Sequence, residues 1–182
     1  AKVIHEKALK PLQNANIPLY VRTFLTPDKK GTCISNWEEG KRRNWNALPL
    51  IAVQEKQVLL TVSPRDLSFA IQDYASRVFE LVRTHHLTVR LIQNSAVRFS
   101  LSMDYDAIHF PDLLASLHEQ FYTSYNLDVL LLSIRHIPLQ WRDALTQFHD
   151  YLLLQETRNT SQYLVRRDVW EMQLYPLLKS EL

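Results

Sequence analysis

Apolar positions along this chain follow two different periods, and the switches between them mark out the elements. Ile71, Tyr74, Ala75, Val78, Phe79 and Val82 stand at i, i+3, i+4, i+7, i+8 and i+11, one face of an amphipathic helix. Residues 97–103 instead alternate: Val97, Phe99, Leu101 and Met103 are apolar, while Arg98, Ser100 and Ser102 are polar. That is the period of an antiparallel strand with one packed face. Apolar runs at 50–53, 58–62, 87–93 and 127–134 read as further strands. A second helix starts at Pro111-Asp112 and carries Leu113, Leu114, Leu117 and Phe121; a third carries Trp141, Ala144, Leu145, Phe148 and Leu152. Strands at 153–157 and 162–165 form a hairpin, and Asp168 caps a last helix from 169 to 178 that Pro176 kinks or shortens.

The order strand, helix, strand, strand, helix, strand is therefore followed by a second, similar run, although residue identities do not repeat. A repeated split βαβ with helices on one face of an antiparallel sheet is the ferredoxin-like α+β architecture. Residues 3–12 read as a helix entered without a capping residue, as though cut from a longer protein. Short strands at 17–24 and 32–34 flank a turn through Pro27 and Gly31, and residues 35–47, with Trp37 and Trp45, read as a connector.

Composition narrows the chemistry. The 182 residues are 46% hydrophobic and 22% charged, with a net charge of +2. That balance suits a globular core, and its one basic run, Lys41-Arg42-Arg43, falls short of the clustered face of a nucleic-acid binder. Cys33 is the sole cysteine, which rules out an internal disulfide and argues against a cysteine-based metal site. A cytoplasmic location is expected, and no apolar run approaches the length of a membrane span. With only Gly31 and Gly40 there is no glycine-rich phosphate loop, and no serine sits in a glycine-flanked nucleophile elbow. The expectation is a chain with no catalytic centre and no metal site of its own.

Two segments carry a resemblance. The first is Val3-Ile4-His5-Glu6-Lys7-Ala8-Leu9-Lys10-Pro11-Leu12, followed by Asn16 to Arg22, Thr26-Pro27 and Gly31-Thr32-Cys33-Ile34. The second is Val78-Phe79-Glu80-Leu81 with His85-His86-Leu87-Thr88-Val89-Arg90-Leu91-Ile92-Gln93-Asn94-Ser95, ahead of the alternating strand. Together they resemble the aspartate kinase (aspartokinase) family, from the end of the kinase domain into the regulatory region with its tandem ACT domains. The resemblance implies 1–47 as the end of the kinase domain with connector strands, 48–126 as a first ACT domain and 127–182 as a second. It also implies that at least one of the short strands at 17–24 and 32–34 adds to an ACT sheet. In that family the parent enzyme phosphorylates aspartate with ATP and Mg, opening the route to lysine, threonine and methionine. The fragment itself would hold no cofactor. It would form a homodimer through its ACT domains and take an amino-acid effector, with no nucleic-acid or membrane partner.

Family resemblance places the effector between the start of the first ACT helix and the strand after it. Here that site maps onto Asp73, Tyr74, Thr88, Val89, Arg90, Asn94 and Ser95, with Ala96 beside them. The family's hydroxyls survive at Thr88 and Ser95, but its acids do not: Arg90 and Ala96 stand in their places. A guanidinium repels the ammonium group of lysine, and a lost carboxylate removes a charge-assisted hydrogen bond. Asp73 offers an acid from the opposite wall, and Arg90 offers a bidentate grip on a carboxylate. Lysine binding in the usual manner is therefore not expected. The competing reading is an oligomerisation module that senses nothing, with Arg90 and Arg98 as exposed strand residues and Asn94-Ser95 as a hairpin turn.

Overall fold

The computed structural model describes residues 4–35, 49–65, 71–95 and 97–180; the side chains of residues 6, 71–73, 140 and 180 lie outside that description. Nearly all of the expected connector at 35–47 does too. The chain divides into a first unit, 1–45, and a second, 46–182.

In the first unit, helix α1 (Glu6–Asn14) does have a cap: His5 Nδ1 accepts the backbone N–H of Lys7 at 3.2 Å. Strand β1 (Leu19–Val21) is shorter than the pattern predicted, and it pairs antiparallel with β2 (Thr32–Ile34). The expectation that one of them extends a larger sheet is corrected: the two form a two-stranded sheet of their own. Gly31, at φ 63°, makes their connection possible, since a Cβ there would lie 2.3 Å from the Val21 carbonyl oxygen.

The second unit runs β3 (Leu50–Pro64), α2 (Ile71–Thr84), β4 (Val89–Asn94), β5 (Phe99–Asp104), α3 (His109–His118), β6 (Phe121–Arg135), α4 (Leu139–Gln147), β7 (Leu153–Glu156) and β8 (Thr160–Arg166). A closing helix follows as α5 (Arg167–Val169), a π-helical turn (Trp170–Leu174) and α6 (Tyr175–Ser180). All six strands join one antiparallel sheet in the order β4-β5-β3-β6-β8-β7.

The sheet is two four-stranded sheets fused through β3 and β6, each 15 residues long. The runs 50–53 and 58–62 are therefore not separate strands. The polar residues between them bend one continuous strand, with register shifts on either side of Gln57. β6 likewise begins at Phe121, which the helical pattern had assigned to the preceding helix. Lys56 and Asp128 mark the bend with φ of 55° and 52°, left-handed values that disfavour side chains. Tyr105 N–H donates to the Lys56 carbonyl at 2.8 Å, and Arg167 reaches both bends, meeting Asp128 at 2.8 Å and Glu55 at 3.8 Å. The result is reciprocal. Residues 121–126 of β6 complete the first half-sheet, and residues 50–54 of β3 complete the second.

Each half buries its own helix-facing core. Val58, Leu60 and Val62 meet Val78, Val82 and Leu113 in the first; Leu130, Leu132 and Ile134 meet Trp141, Leu145 and Leu174 in the second. A third cluster lies on the opposite face and holds only strand residues in its buried set: Leu59, Leu91, Val129, Leu131, Leu153 and Leu164. No helix among the described residues joins that buried set; strands of the two halves supply it together, back to back with the helix-facing cores. Full burial stabilises each such side chain by roughly 1.5–3 kcal/mol.

Four local expectations change. Phe79 is not core but 38% exposed, set edge-on to Phe99 at 5.4 Å. Helix α3 starts at His109, before Pro111, because Asp106 Oδ1 accepts the N–H groups of Ile108 and His109 at 2.8 and 2.9 Å. The His109 N–H, the His109 ring and the Ile108 N–H draw Asp106 down to about 2. Asp168 sits inside the first turn of the closing helix, not ahead of it. Pro176 does not shorten that helix, which runs on as α6 to Ser180; the π turn immediately before it widens the backbone where a proline ring would strike the preceding turn.

Leu131→Ala, at the centre of the back-to-back cluster, is expected to cost about 2–5 kcal/mol. Because the halves share strands, denaturant melting by circular dichroism should remain a single transition; separate transitions would contradict the fused sheet. Lys56→Gly should raise stability by about 0.5–1 kcal/mol by relieving the left-handed backbone, measured as a higher denaturation midpoint.

Candidate functional site

The positions mapped from the sequence fall on α2, β4 and the turn after it. Asp73 is within α2, with its side chain outside the description, as is Ala96 altogether. Tyr74 is 3% exposed and packs between Phe99 and Phe121, each with its ring centre 6.3 Å away, so it is a core wall. Its hydroxyl has no hydrogen-bond partner among the described residues. Thr88 is exposed, and its carbonyl accepts the Asp104 N–H at 3.1 Å. Asn94 ends β4 opposite Phe99. Ser95 holds the hairpin turn: its N–H donates to the Arg98 carbonyl at 2.9 Å, and its Oγ accepts the Arg98 N–H at 3.2 Å.

Arg90 is the informative position. Val89 opposes Met103 while Leu91 opposes Ser102, so Arg90 is the extra residue of a β-bulge. Residues two apart on a regular strand share a face, but across this bulge Val89 joins the helix-side core and Leu91 joins the back-to-back cluster. Arg90 is turned onto Asp104, with Nε to Oδ1 at 2.9 Å and Nη2 to Oδ2 at 2.5 Å. Gln57 Nε2 donates to the same carboxylate at 2.8 Å, and Ser102 Oγ reaches Gln57 Oε1 at 3.4 Å. The Arg90 hydrogen bonds hold Asp104 below the usual carboxylate range, with Gln57 assisting, and Asp104 in turn raises Arg90. Arg90 is thus neutralised within the chain. Sequence reasoning missed Asp104; the signal was an acid ending the alternating strand, opposite an arginine of the neighbouring strand.

In the second half, one side of α4, the segments flanking it and the β7–β8 hairpin line an open cavity of about 570 Å³. Phe148, Tyr151 and Tyr163 form an aromatic wall with ring centres 6.1–6.4 Å apart. Burial, then the charge of Glu156, pushes the Tyr163 phenol up to about 12, so it remains a proton donor. Arg142, Arg158, His136 and His149 line the cavity with a single carboxylate, Glu156, whose Oε1 accepts from Ser161 Oγ at 2.9 Å.

Among the described residues no three His, Cys, Asp or Glu side chains group as metal ligands. His85 instead bonds to Ser116 Oγ at 3.0 Å. No described helix is long and apolar enough to cross a membrane.

No family model matches the chain. Over 104 residues, 57% of its length, it is 29% identical to lysine-sensitive aspartokinase 3 of Escherichia coli K12, of which that stretch is 22%. In fold it is similar to the structure of E. coli aspartokinase III with lysine and aspartate in the T-state, with a TM-score of 0.73 and 20% identity, covering 98% of this chain and 42% of that one. It is also similar to the ligand-free regulatory subunit of aspartate kinase from Thermus thermophilus, with a TM-score of 0.52 and 12% identity, covering 71% of this chain and 95% of that one. The chain therefore spans well under two thirds of the length of the E. coli aspartokinases that it matches. Sequence and fold point the same way: the chain is similar in sequence to an aspartokinase, and its fold is similar to that of aspartate kinase regulatory regions.

Proposed function

We propose that this chain is the effector-responsive part of an aspartate kinase, and that ATP-dependent phosphorylation of aspartate is performed by a kinase domain that it does not contain. The observation carrying this reading is the reciprocal strand exchange at Lys56 and Asp128. Each half-sheet is completed by the other's long strand, so a ligand that reshapes one half works directly on the other. The parent's lysine, threonine and methionine route, with ATP and Mg as its cofactors, belongs to this reading as well.

The first half does not take lysine in the family manner. The bidentate Arg90–Asp104 pair fills the place where a carboxylate would receive an ammonium group. Calorimetric titration of the chain with lysine should show no saturable heat at micromolar concentration, and micromolar binding would overturn this reading. A thermal-shift panel of lysine, diaminopimelate, threonine, methionine and adenosylmethionine tests sensing more broadly. A ligand that binds only the folded state must raise the melting temperature, by ~2.7 kcal/mol of added stability at a hundredfold excess over Kd.

Arg90→Ala should lower stability by about 1 kcal/mol or less, since the pair is solvent-screened. Asp104 is depressed in the folded state. Its contribution is therefore present above its unfolded value and lost as pH falls through the lower folded value. The difference between wild type and variant should accordingly be largest near neutral pH and vanish in acid, as measured by denaturant midpoints across pH.

The pure interaction module is favoured by one feature, an exposed apolar strip on the edge strand and its surroundings. Ile92 and Val97 are 44% and 50% exposed, close in sequence to the partly exposed Phe79 helix face. We take this edge as the homodimer surface. Ile92→Glu should shift sedimentation equilibrium toward monomer without lowering the melting temperature of the chain; an unchanged dimer would exclude the edge.

A further inference from the structure

We propose that the cavity in the second half is a binding site for a small organic dicarboxylate, held by Arg142 and Arg158 with its carbon body against the aromatic wall. Neither guanidinium has a carboxylate partner among the described residues, and both residues are exposed where they line the cavity. Both arginines line the same cavity, and each planar guanidinium can donate two parallel N–H bonds to one carboxylate. The cavity's single acid, Glu156, already accepts the Ser161 hydroxyl, so positive charge prevails at the mouth. A cationic amino acid is correspondingly disfavoured there.

Shape agrees with charge. About 570 Å³ lies within the 300–1,000 Å³ range of small-molecule sites. The far wall is rigid, because Phe148, Tyr151 and Tyr163 hold one another edge to face, with Phe148 and Tyr163 buried in the core. The near wall is pinned across its mouth: the His136 N–H, from a residue at φ 57°, donates to the Asn159 carbonyl at 2.9 Å. That bond fixes the β7–β8 turn, and with it Arg158, against the entry to α4. The site is therefore formed before any ligand arrives. Tyr163 also lines the cavity, and its phenol stays protonated.

The proposal goes beyond effector sensing by the first half and does not depend on it. The test is titration of the full chain, by calorimetry and by fluorescence of the buried Trp141, with succinate, 2-oxoglutarate and aspartate against acetate, inorganic phosphate and lysine at constant ionic strength. Saturable binding of a dicarboxylate, on the order of tenfold tighter than acetate or phosphate, is expected. Arg142→Ala and Arg158→Ala should each weaken it by at least about tenfold, while Arg90→Ala leaves it unchanged. Equal binding of phosphate, binding indifferent to both cavity variants, or no saturable binding by any dicarboxylate at millimolar concentration would each overturn the assignment. Loss of binding in Arg90→Ala alone would return the ligand to the first half.

Discussion

Everything in the second unit depends on one ladder, the antiparallel pairing of β3 with β6 across the double bend at Lys56 and Asp128. Two left-handed residues in non-glycine positions are costly, and each would be eliminated if the strands ran straight. Strands of both halves together supply the cluster of Leu59, Leu91, Val129, Leu131, Leu153 and Leu164, with Leu59 and Val129 contributed from beside the two bends. Among the described residues no helix joins that buried set, so these side chains depend on the path of β3 and β6. Burial at roughly 1.5–3 kcal/mol per side chain outweighs two strained residues at about 1–2 kcal/mol each.

That trade also removes the independence of the halves. Neither has four strands without the other, and Arg167 adds electrostatic stitches to Asp128 and Glu55 on both bends. For the regulatory role proposed above this matters more than stability. Coupling between distant sites needs an element that both sites bias. A pair of strands shared by two half-sheets is such an element, since β3 leads from one helix-facing core into the other with no linker between them.

The sequence made the helices legible and the bends illegible, for physical reasons. Val78, Val82, Leu113, Leu117, Trp141 and Leu145 follow helical periods because each packs on one flat face, and all are buried as the pattern required. The polar stretch Gln54 to Gln57 resembles a turn, because a turn and a bulged bend both interrupt the apolar alternation. Only the pairing partner distinguishes them, and that partner is some seventy residues away in β6. Arg90 was legible as a departure from the family pattern but not as a bulge, since a bulge is a property of two strands. His5 escaped as a cap because a histidine ring substitutes there for the usual short oxygen side chains. The expected first-half ligand positions lie on α2, on β4 and beside it, but Tyr74 is turned into the core and Arg90 onto Asp104.

The two halves share a backbone and differ in what they do with charge. The register sets Leu91 opposite Ser102 in the first half and Leu153 opposite Leu164 in the second, and both leucines enter the back-to-back cluster. At the end of β5 stands Asp104, gripped by Arg90; at the end of β8 stands Arg166, near Asp150 at 3.9 Å and Asp168 at 3.1 Å. The polarity of this corner is reversed between repeats. In the first half the reversal consumes the arginine nearest the expected ligand position. In the second, the acids Asp150 and Asp168 are drawn to Arg166, and Asp150 also accepts from Gln173 at 2.8 Å, which leaves Arg142 and Arg158 without them. One repeat has spent its cation internally and the other has spent its anions. The halves are therefore not two copies of one sensor, and a ligand suited to either charge pattern is mismatched to the other.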